Sequence, residues 1–102
     1  VEGYGPTVNH PEGAAHAQRV AEALLGERGW LEMPTPIMGA EDFSYVLEEV
    51  PGAYVSLGAT PLDVEPAGAP YNHSAQARFA DEALPQGAAL LAALALDRLA
   101  QG

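Results

Sequence analysis

The chain contains neither cysteine nor lysine, and each absence limits what it can do. Without cysteine it forms no disulfide and offers no thiolate ligand, and it carries no direct sign of the redox compartment. Fourteen acidic residues stand against four arginines, which gives a formal net charge of −10. A surface of that sign repels phosphate groups, so we expect no nucleic-acid partner and no anionic membrane partner.

Long apolar runs and targeting signals are also missing. No stretch reaches the roughly 18 uninterrupted apolar residues typical of a membrane span. The first residues, Val1-Glu2-Gly3-Tyr4, include no initiator methionine and lack the basic-then-apolar order of a signal peptide. We therefore expect a cytoplasmic chain cut from a longer protein, in which 102 residues build one modest core.

Hydrophobic periodicity predicts three helices. The first is capped near Asn9 and ends at Gly26, because apolar residues recur at helical spacing between them. The second begins near Ala40 and ends before residues 51–52, a Pro-Gly pair. The third begins between residues 81 and 85 and runs towards Leu99. It is apolar on nearly every side, so we expect it to require more cover than the rest of this chain supplies.

Two short strands are predicted between these helices. Residues 29–33 and 53–57 are rich in β-forming side chains and are bounded by glycine or proline. Residues 59–70 contain three prolines and a glycine and are expected to form an irregular loop. The order helix, strand, helix, strand, helix predicts an α/β fold with layered sheets and helices.

His73 is the first candidate functional residue. It lies on a loop rich in proline and glycine before the last helix, where a neutral imidazole is a good metal ligand. A solvent-exposed loop histidine without a function is the ordinary alternative. A catalytic zinc site takes about three protein ligands, so one histidine would supply only part of a site.

A second candidate segment leads into the second helix and contains Gly39, Glu41 and Asp42. A glycine turn before a helix can present free amides to an anion such as a substrate carboxylate. The alternative is that Glu41 and Asp42 satisfy these amides themselves. Asp81 and Glu82, before the third helix, also have two interpretations. They cap that helix, or a carboxylate of the pair orients a ligand histidine.

The remaining polar residues indicate no other chemistry. His10 and His16 have no acidic or histidine residue four positions later, so both are expected to be solvated. Ser44 and Ser74 have no adjacent base, which argues against a nucleophilic triad.

Taken in order, the motifs resemble the carboxy-terminal part of the M20 metallopeptidases, in the aminoacylase/hippurate hydrolase-like amidohydrolase branch. The likeness extends over nearly the whole chain, and it depends on the order of the motifs as much as on any one of them. The motifs are Pro6-Thr7-Val8-Asn9, Met38-Gly39-Ala40-Glu41-Asp42-Phe43-Ser44, Val50-Pro51-Gly52-Ala53, Leu57-Gly58, Asn72-His73-Ser74, Asp81-Glu82-Ala83-Leu84-Pro85 and Gly87-Ala88-Ala89-Leu90.

This resemblance implies a part of a three-layer catalytic domain with a zinc-peptidase-like fold. Residues 1–8 would end the lid or dimerisation domain, and residues 9–102 would form the carboxy-terminal part of the catalytic domain. His73 would bind one ion of a two-metal site, zinc or manganese, that activates water for attack on an amide. Gly39, Glu41 and Asp42 would line the site, and the general base would lie upstream.

The resemblance also implies partners and substrates. The substrate would be an N-acyl amino acid or a small peptide, and the full-length protein would be a homodimer that includes upstream catalytic and lid regions. The isolated chain would then be inactive. Ala75 and Ala77 replace a proline and an aromatic residue of many relatives, which affects substrate details more than ligation. Two alternatives stay open: a metallocarboxypeptidase, and a non-catalytic acidic module for binding or oligomerisation.

Overall fold

The computed structural model describes residues 6–33, 41–70 and 74–101. Within them the chain forms three α-helices, α1 (Pro11–Leu25), α2 (Phe43–Glu49) and α3 (Ala83–Ala100). Two short 3₁₀ helices span Glu27–Gly29 and Pro66–Gly68. All three predicted α-helices are therefore confirmed, and the predicted irregular loop at residues 59–70 contains one 3₁₀ turn.

The boundaries of α1 follow from its end residues. Pro11 occupies the first turn, where a missing N–H removes no helical hydrogen bond. His10 rather than Asn9 is the residue before the helix, and its side chain does not cap it. The helix ends at Gly26, whose φ of 87° lies in a region that favours glycine. Its N–H donates to the carbonyl of Glu22.

The two predicted strands are not found. Gly29 ends a 3₁₀ helix, and residues 30–33 and 53–57 have no regular secondary structure. A strand requires a hydrogen-bonded neighbour, and the described part of the chain provides no second strand for either segment. The helix-strand-helix-strand-helix order is therefore not seen in the described residues. The amino acids at residues 53–57 nevertheless favour β-structure.

The core lies where α1 meets its neighbours and is small. The buried apolar side chains in the described residues are Ala17, Val20, Ala21, Leu47 and Ala83. Ala17, Val20 and Ala21 lie on the apolar face of α1 that the periodicity predicts, whereas Leu24, one turn later, is 42% exposed. Helix α1 packs on α3.

Asp97 joins α3 to α1 through hydrogen bonds on a single carboxylate oxygen. Its Oδ2 lies 2.9 Å from His16 Nε2 and 2.6 Å from the guanidinium of Arg19, and Gln101 donates to it at 2.8 Å. The hydrogen bond and charge of Arg19 lower the pKa of Asp97, with a smaller contribution from His16. Polar bonds thus fix the carboxy-terminal half of α3 against α1.

The outer face of α3 is apolar and exposed. Leu84, Leu91, Leu96 and Leu99 are between 69% and 77% exposed. The sequence-based expectation that this helix needs further cover agrees with their exposure. By length and composition alone, α3 also reaches the requirement for a membrane span, with 18 residues and a mean hydropathy of 1.2. The helix is not an uninterrupted apolar run, because Gln86, Asp97 and Arg98 lie within it.

Candidate functional site

Two of the four predicted site residues lie outside the described residues. Gly39 belongs to residues 34–40 and His73 to residues 71–73, neither of which the structure describes. Their predicted roles therefore stay predictions. Glu41 and Asp42 are described, and so is the chain that follows His73 from residue 74 onward.

Glu41 lies at the start of α2, and its carboxylate accepts hydrogen bonds from a backbone N–H and from a hydroxyl. Its Oε2 accepts from the backbone N–H of Phe43 at 3.1 Å, and its Oε1 accepts from the hydroxyl of Tyr54 at 3.1 Å. The rings of Phe43 and Tyr54 are in contact, with centroids 5.4 Å apart and planes inclined by 44°. One carboxylate and two aromatic rings therefore form a continuous patch.

The hydrogen bonds to Glu41 favour its ionised form. The Phe43 N–H has the largest effect, followed by the Tyr54 hydroxyl and then by Asp42, and together they lower the pKa of Glu41 below its usual 4.5. Partial desolvation opposes them. The group is thus an anion at neutral pH, suited to accept hydrogen bonds or to attract a cation.

The first amides of α2 are already satisfied within the chain. Glu41 accepts from Phe43 through its side chain and from Ser44 through its carbonyl, at 3.1 and 3.3 Å. The carbonyl of Asp42 accepts from Tyr45 at 3.1 Å. Asp42 is exposed and its side chain makes no capping bond. The structure thus supports self-capping by Glu41 rather than an anion site on these amides.

The chain after His73 is anchored by a turn and by the preceding loop. Ser74 Oγ accepts from the N–H of Gln76 at 3.1 Å, as in a serine turn. The N–H of Ala80 donates to the carbonyl of Ala59 at 2.7 Å. Arg78 adds an exposed ion pair with Asp63 at 3.4 Å. Residues 74–80 are thereby tied to residues 59–63 on the carboxy-terminal side of His73.

Asn9 and His10 bind the chain around Tyr54. The Asn9 side chain accepts from the N–H of Tyr54 at 2.7 Å and donates to its carbonyl at 3.3 Å. The backbone N–H of His10 donates to the carbonyl of Gly52 at 2.9 Å, and His10 Nδ1 accepts from the Gly52 N–H at 2.9 Å. We call these four residues the 9–54 clasp. These bonds resemble the pairing of two strands, except that the side chains of Asn9 and His10 make bonds that a strand backbone would otherwise make.

The two described histidines are engaged rather than solvated, which corrects the expectation for both. His10 Nδ1 accepts the Gly52 N–H, so its other ring nitrogen carries the proton in the neutral state. His16 bonds Asp97 across the α1–α3 contact. Each therefore has a structural partner.

A metal ion does not fit the described residues by themselves. No group of three or more His, Asp or Glu side chains with ligand geometry occurs in residues 6–33, 41–70 and 74–101. The chain has no cysteine, and the described histidines are hydrogen-bonded elsewhere. A metal held by His73 would therefore need donors that the described residues do not contribute.

Asp81 and Glu82 do not cap α3 with their side chains. Both are exposed, and Glu82 is the residue before the helix without a side-chain capping bond. The carbonyl of Asp81 instead accepts from the N–H of Leu84 at 3.1 Å. The capping interpretation is thus wrong for both carboxylates, while the interpretation that one of them orients His73 stays a prediction.

Sequence reasoning missed Tyr54, Asn9 and Asp97 as organising residues. Asn9 and Tyr54 are 45 positions apart, and His16 and Asp97 are 81 positions apart. No local pattern links residues so distant. The local signal is the Asn-His-Pro order before α1, and that order predicts a helix cap.

Comparison with known proteins adds the family. The chain matches the model of peptidase family M20/M25/M40 over residues 1–97. It is 37% identical over 94 residues to IAA-amino acid hydrolase ILR1-like 2 of Arabidopsis thaliana, covering 92% of this chain and 20% of that protein. IAA-amino acid hydrolase ILR1-like 4 of the same organism is 34% identical over 92 residues, covering 90% and 20%. Putative amidohydrolase YhaA of Bacillus subtilis (strain 168) is 36% identical over 64 residues, covering 63% and 16%.

The chain spans about a fifth of the length of these curated relatives. The family match, in contrast, includes nearly every residue of the chain, and it confirms the resemblance that the order of the motifs indicated. The chain belongs to peptidase family M20/M25/M40.

Proposed function

We propose that this chain is the carboxy-terminal part of a metal-dependent amidohydrolase that hydrolyses the amide bond of N-acyl amino acids or small peptides. The observation that carries the proposal is the match to the family over residues 1–97, together with relatives named as hydrolases of an IAA-amino acid. An amino acid joined to an acyl group is the substrate class that both the names and the motif order favour.

His73 is the metal ligand in this proposal. Two divalent ions, zinc or manganese, would when bound supply an activated water for attack on the amide carbonyl. The chain's own contribution is to hold the loop that carries His73. The Ser74 turn and the bond from Ala80 to Ala59 fix the residues that follow it.

In this proposal Glu41 lines the site at which His73 binds metal, together with Gly39 and Asp42. Its carboxylate is held by Phe43 and Tyr54, so it presents a fixed negative charge beside two aromatic rings. An aromatic surface suits a substrate with an apolar acyl group.

The rest of the longer protein supplies what this chain lacks. We propose that it contributes the general base and the other metal ligands, and that it covers the exposed leucines of α3. On this basis the isolated chain is inactive. The full-length protein is proposed to be a cytoplasmic homodimer that binds neither nucleic acid nor membrane.

The test compares two substitutions on one loop of the full-length protein. His73→Ala removes the proposed ligand, and Gln76→Ala removes an exposed side chain three residues away. We expect His73→Ala to lose bound metal and to reduce kcat/KM for an N-acyl amino acid by more than about a hundredfold. Losing a group that only orients a metal ligand reduces activity by at most about a hundredfold, and losing the ligand itself should have a larger effect. Gln76→Ala should keep both.

Metal content is measured by mass spectrometry after gel filtration, and hydrolysis by release of the free amino acid. Full metal content and full activity in His73→Ala would refute the assignment. Efficient hydrolysis by the isolated 102-residue chain would refute the proposal that essential groups lie elsewhere.

A further inference from the structure

Asn9 and Glu41 are connected through one intervening residue. Asn9 holds the backbone of Tyr54 with two hydrogen bonds, of 2.7 and 3.3 Å. The Tyr54 side chain then donates its hydroxyl to Glu41 at 3.1 Å. The segment before α1 is thereby joined to the start of α2 by a continuous set of bonds.

The connection is specific in its chemistry. A side-chain amide has an acceptor oxygen and a donor nitrogen on separate atoms, so Asn9 accepts from the Tyr54 N–H and donates to the Tyr54 carbonyl at the same time. Aspartate at position 9 would keep the acceptor and lose the donor, and leucine would lose both. Tyrosine at position 54 is specific in the same way, because phenylalanine keeps the ring contact with Phe43 but has no hydroxyl for Glu41.

The Asn9 side chain bonds both polar groups of the Tyr54 backbone, the N–H and the carbonyl. Residues 51–60 have no regular secondary structure in the described part of the chain, so this segment is held by specific side-chain bonds. The Asn9 bonds are among them, together with those of His10 to Gly52 two residues earlier.

We propose that Asn9 is a positioning residue for the hydrolytic site, because it sets the Tyr54 backbone so that the phenol holds the Glu41 carboxylate at the start of α2. This inference rests on the proposed function, in which Glu41 lines that site. Asn9 itself does not touch substrate. It acts through Tyr54, and Tyr54 acts through Glu41.

The first test follows backbone hydrogen exchange in the full-length protein and needs no activity. Asn9→Leu should increase exchange both at residues 52–56 and at residues 41–45, because the Tyr54 bonds and then the Glu41 bonds loosen. Tyr54→Phe should increase exchange at residues 41–45 only. Arg19→Ala, which breaks the contact to Asp97 instead, should affect neither peptide. If Asn9→Leu loosened residues 52–56 and left residues 41–45 unchanged, the proposal would be overturned.

The second test uses kinetics with an N-acyl amino acid. We expect Asn9→Leu and Tyr54→Phe each to lower kcat/KM about tenfold, since small misplacements of site groups have effects of this order or larger. The kcat/KM of the double variant should be no lower than that of the less active single variant, because both substitutions break the same connection from Asn9 to Glu41. The acid limb of the pH profile should move to higher pH in both variants and stay in place in Arg19→Ala.

The outcomes separate the two proposals. An inactive full-length wild type refutes the hydrolase proposal, and the exchange data then decide the connection from Asn9 to Glu41 alone. An active wild type in which the two losses multiply, with an unchanged pH profile, assigns Asn9 to fold stability and overturns the positioning role.

Discussion

Gly13 of α1 lies directly against the backbone of Gly52. A Cβ on Gly13 would be 2.7 Å from both the carbonyl carbon and the carbonyl oxygen of Gly52. These atoms belong to a backbone segment that His10 also binds, so they cannot rotate away as a side-chain end would. The absence of a side chain at Gly13 is what allows α1 to approach residues 52–54 and the clasp to close.

Gly13→Ala should therefore destabilise the protein. The overlap with Gly52 forces a backbone shift, and such overpacking typically costs about 1–3 kcal/mol. The gain from placing alanine in a helix is smaller, about 0.5–1 kcal/mol. We expect a lower midpoint in urea unfolding for this variant. An unchanged or higher midpoint would show that the two backbones separate freely.

Gly87→Ala is the matched comparison on α3. A Cβ there would be 2.9 Å from Leu57 Cδ2, which is the far end of a flexible and half-exposed side chain. Leu57 can change rotamer, so the helix-propensity gain of about 0.5–1 kcal/mol should prevail. We expect an equal or higher unfolding midpoint. A loss as large as that of Gly13→Ala would mean that Leu57 is held in place.

The α1–α3 contact should make stability depend on pH in the acid range. Arg19, with help from His16, lowers the pKa of Asp97 in the folded state below its ordinary value of 3.8. The ionised carboxylate therefore contributes stability above about pH 3.8, and this contribution is lost as pH falls through the lower folded-state pKa.

Asp97→Asn tests this contribution. The amide keeps the shape of the side chain but carries no charge for Arg19. We expect the variant to lose stability at pH 7, and to lose less than wild type on further acidification below about pH 4. The difference should shrink in 1 M salt, because the pair is partly exposed and screened. Parallel curves of unfolding midpoint against pH for the two proteins would contradict the assignment.

The helices could be predicted from sequence and the clasp could not. Ala17, Val20 and Ala21 repeat at helical spacing within α1, and that spacing is a local property of the chain. The Tyr54 backbone is hydrogen-bonded by Asn9, which lies 45 positions away in sequence. The residues around Asn9 predict only that it caps a helix. Long-range polar contacts of this kind leave no periodic trace.

The failed strand prediction at residues 53–57 has a related cause. β-propensity reports how well a side chain suits a pleated surface, but the strand itself exists only beside a partner. Within the described residues, the Asn9 side chain bonds the backbone of Tyr54. Of the two interpretations of the start of α2, the structure supports capping by Glu41, without Asp42, whereas the bond from Tyr54 to Glu41 depends on the fold.

Ser44 should tolerate alanine better than its position suggests. It is 1% exposed, and its hydroxyl has no hydrogen-bond partner within the described part of the chain. An unsatisfied buried hydroxyl carries a penalty of about 1–3 kcal/mol, which Ser44→Ala removes. We expect an equal or higher unfolding midpoint in the full-length protein. Ser74→Ala, which loses a bond to the N–H of Gln76, should instead lower it slightly. A large loss in Ser44→Ala would show that a group elsewhere in the protein bonds this hydroxyl.

The exposed leucines of α3 give the final prediction, which concerns the cover proposed for that helix. Leu91 is 72% exposed in this chain, in the middle of a face that also includes Leu84 and Leu99. If the rest of the longer protein covers this face, Leu91→Glu places a charge in a buried contact there. The full-length variant should then be destabilised by more than about 3 kcal/mol, because an unpaired carboxylate is added to a lost apolar contact.

Gln86→Glu is the control for the charge itself, because Gln86 is an exposed polar residue near the start of the same helix. A carboxylate there is favoured by the helix dipole, so the full-length protein should keep its stability. In the isolated chain, Leu91→Glu should reduce self-association and binding of an apolar dye, since the leucine face is open to solvent. Equal stability of the two full-length variants, measured by urea unfolding, would show that the face stays exposed and that the proposed cover does not exist.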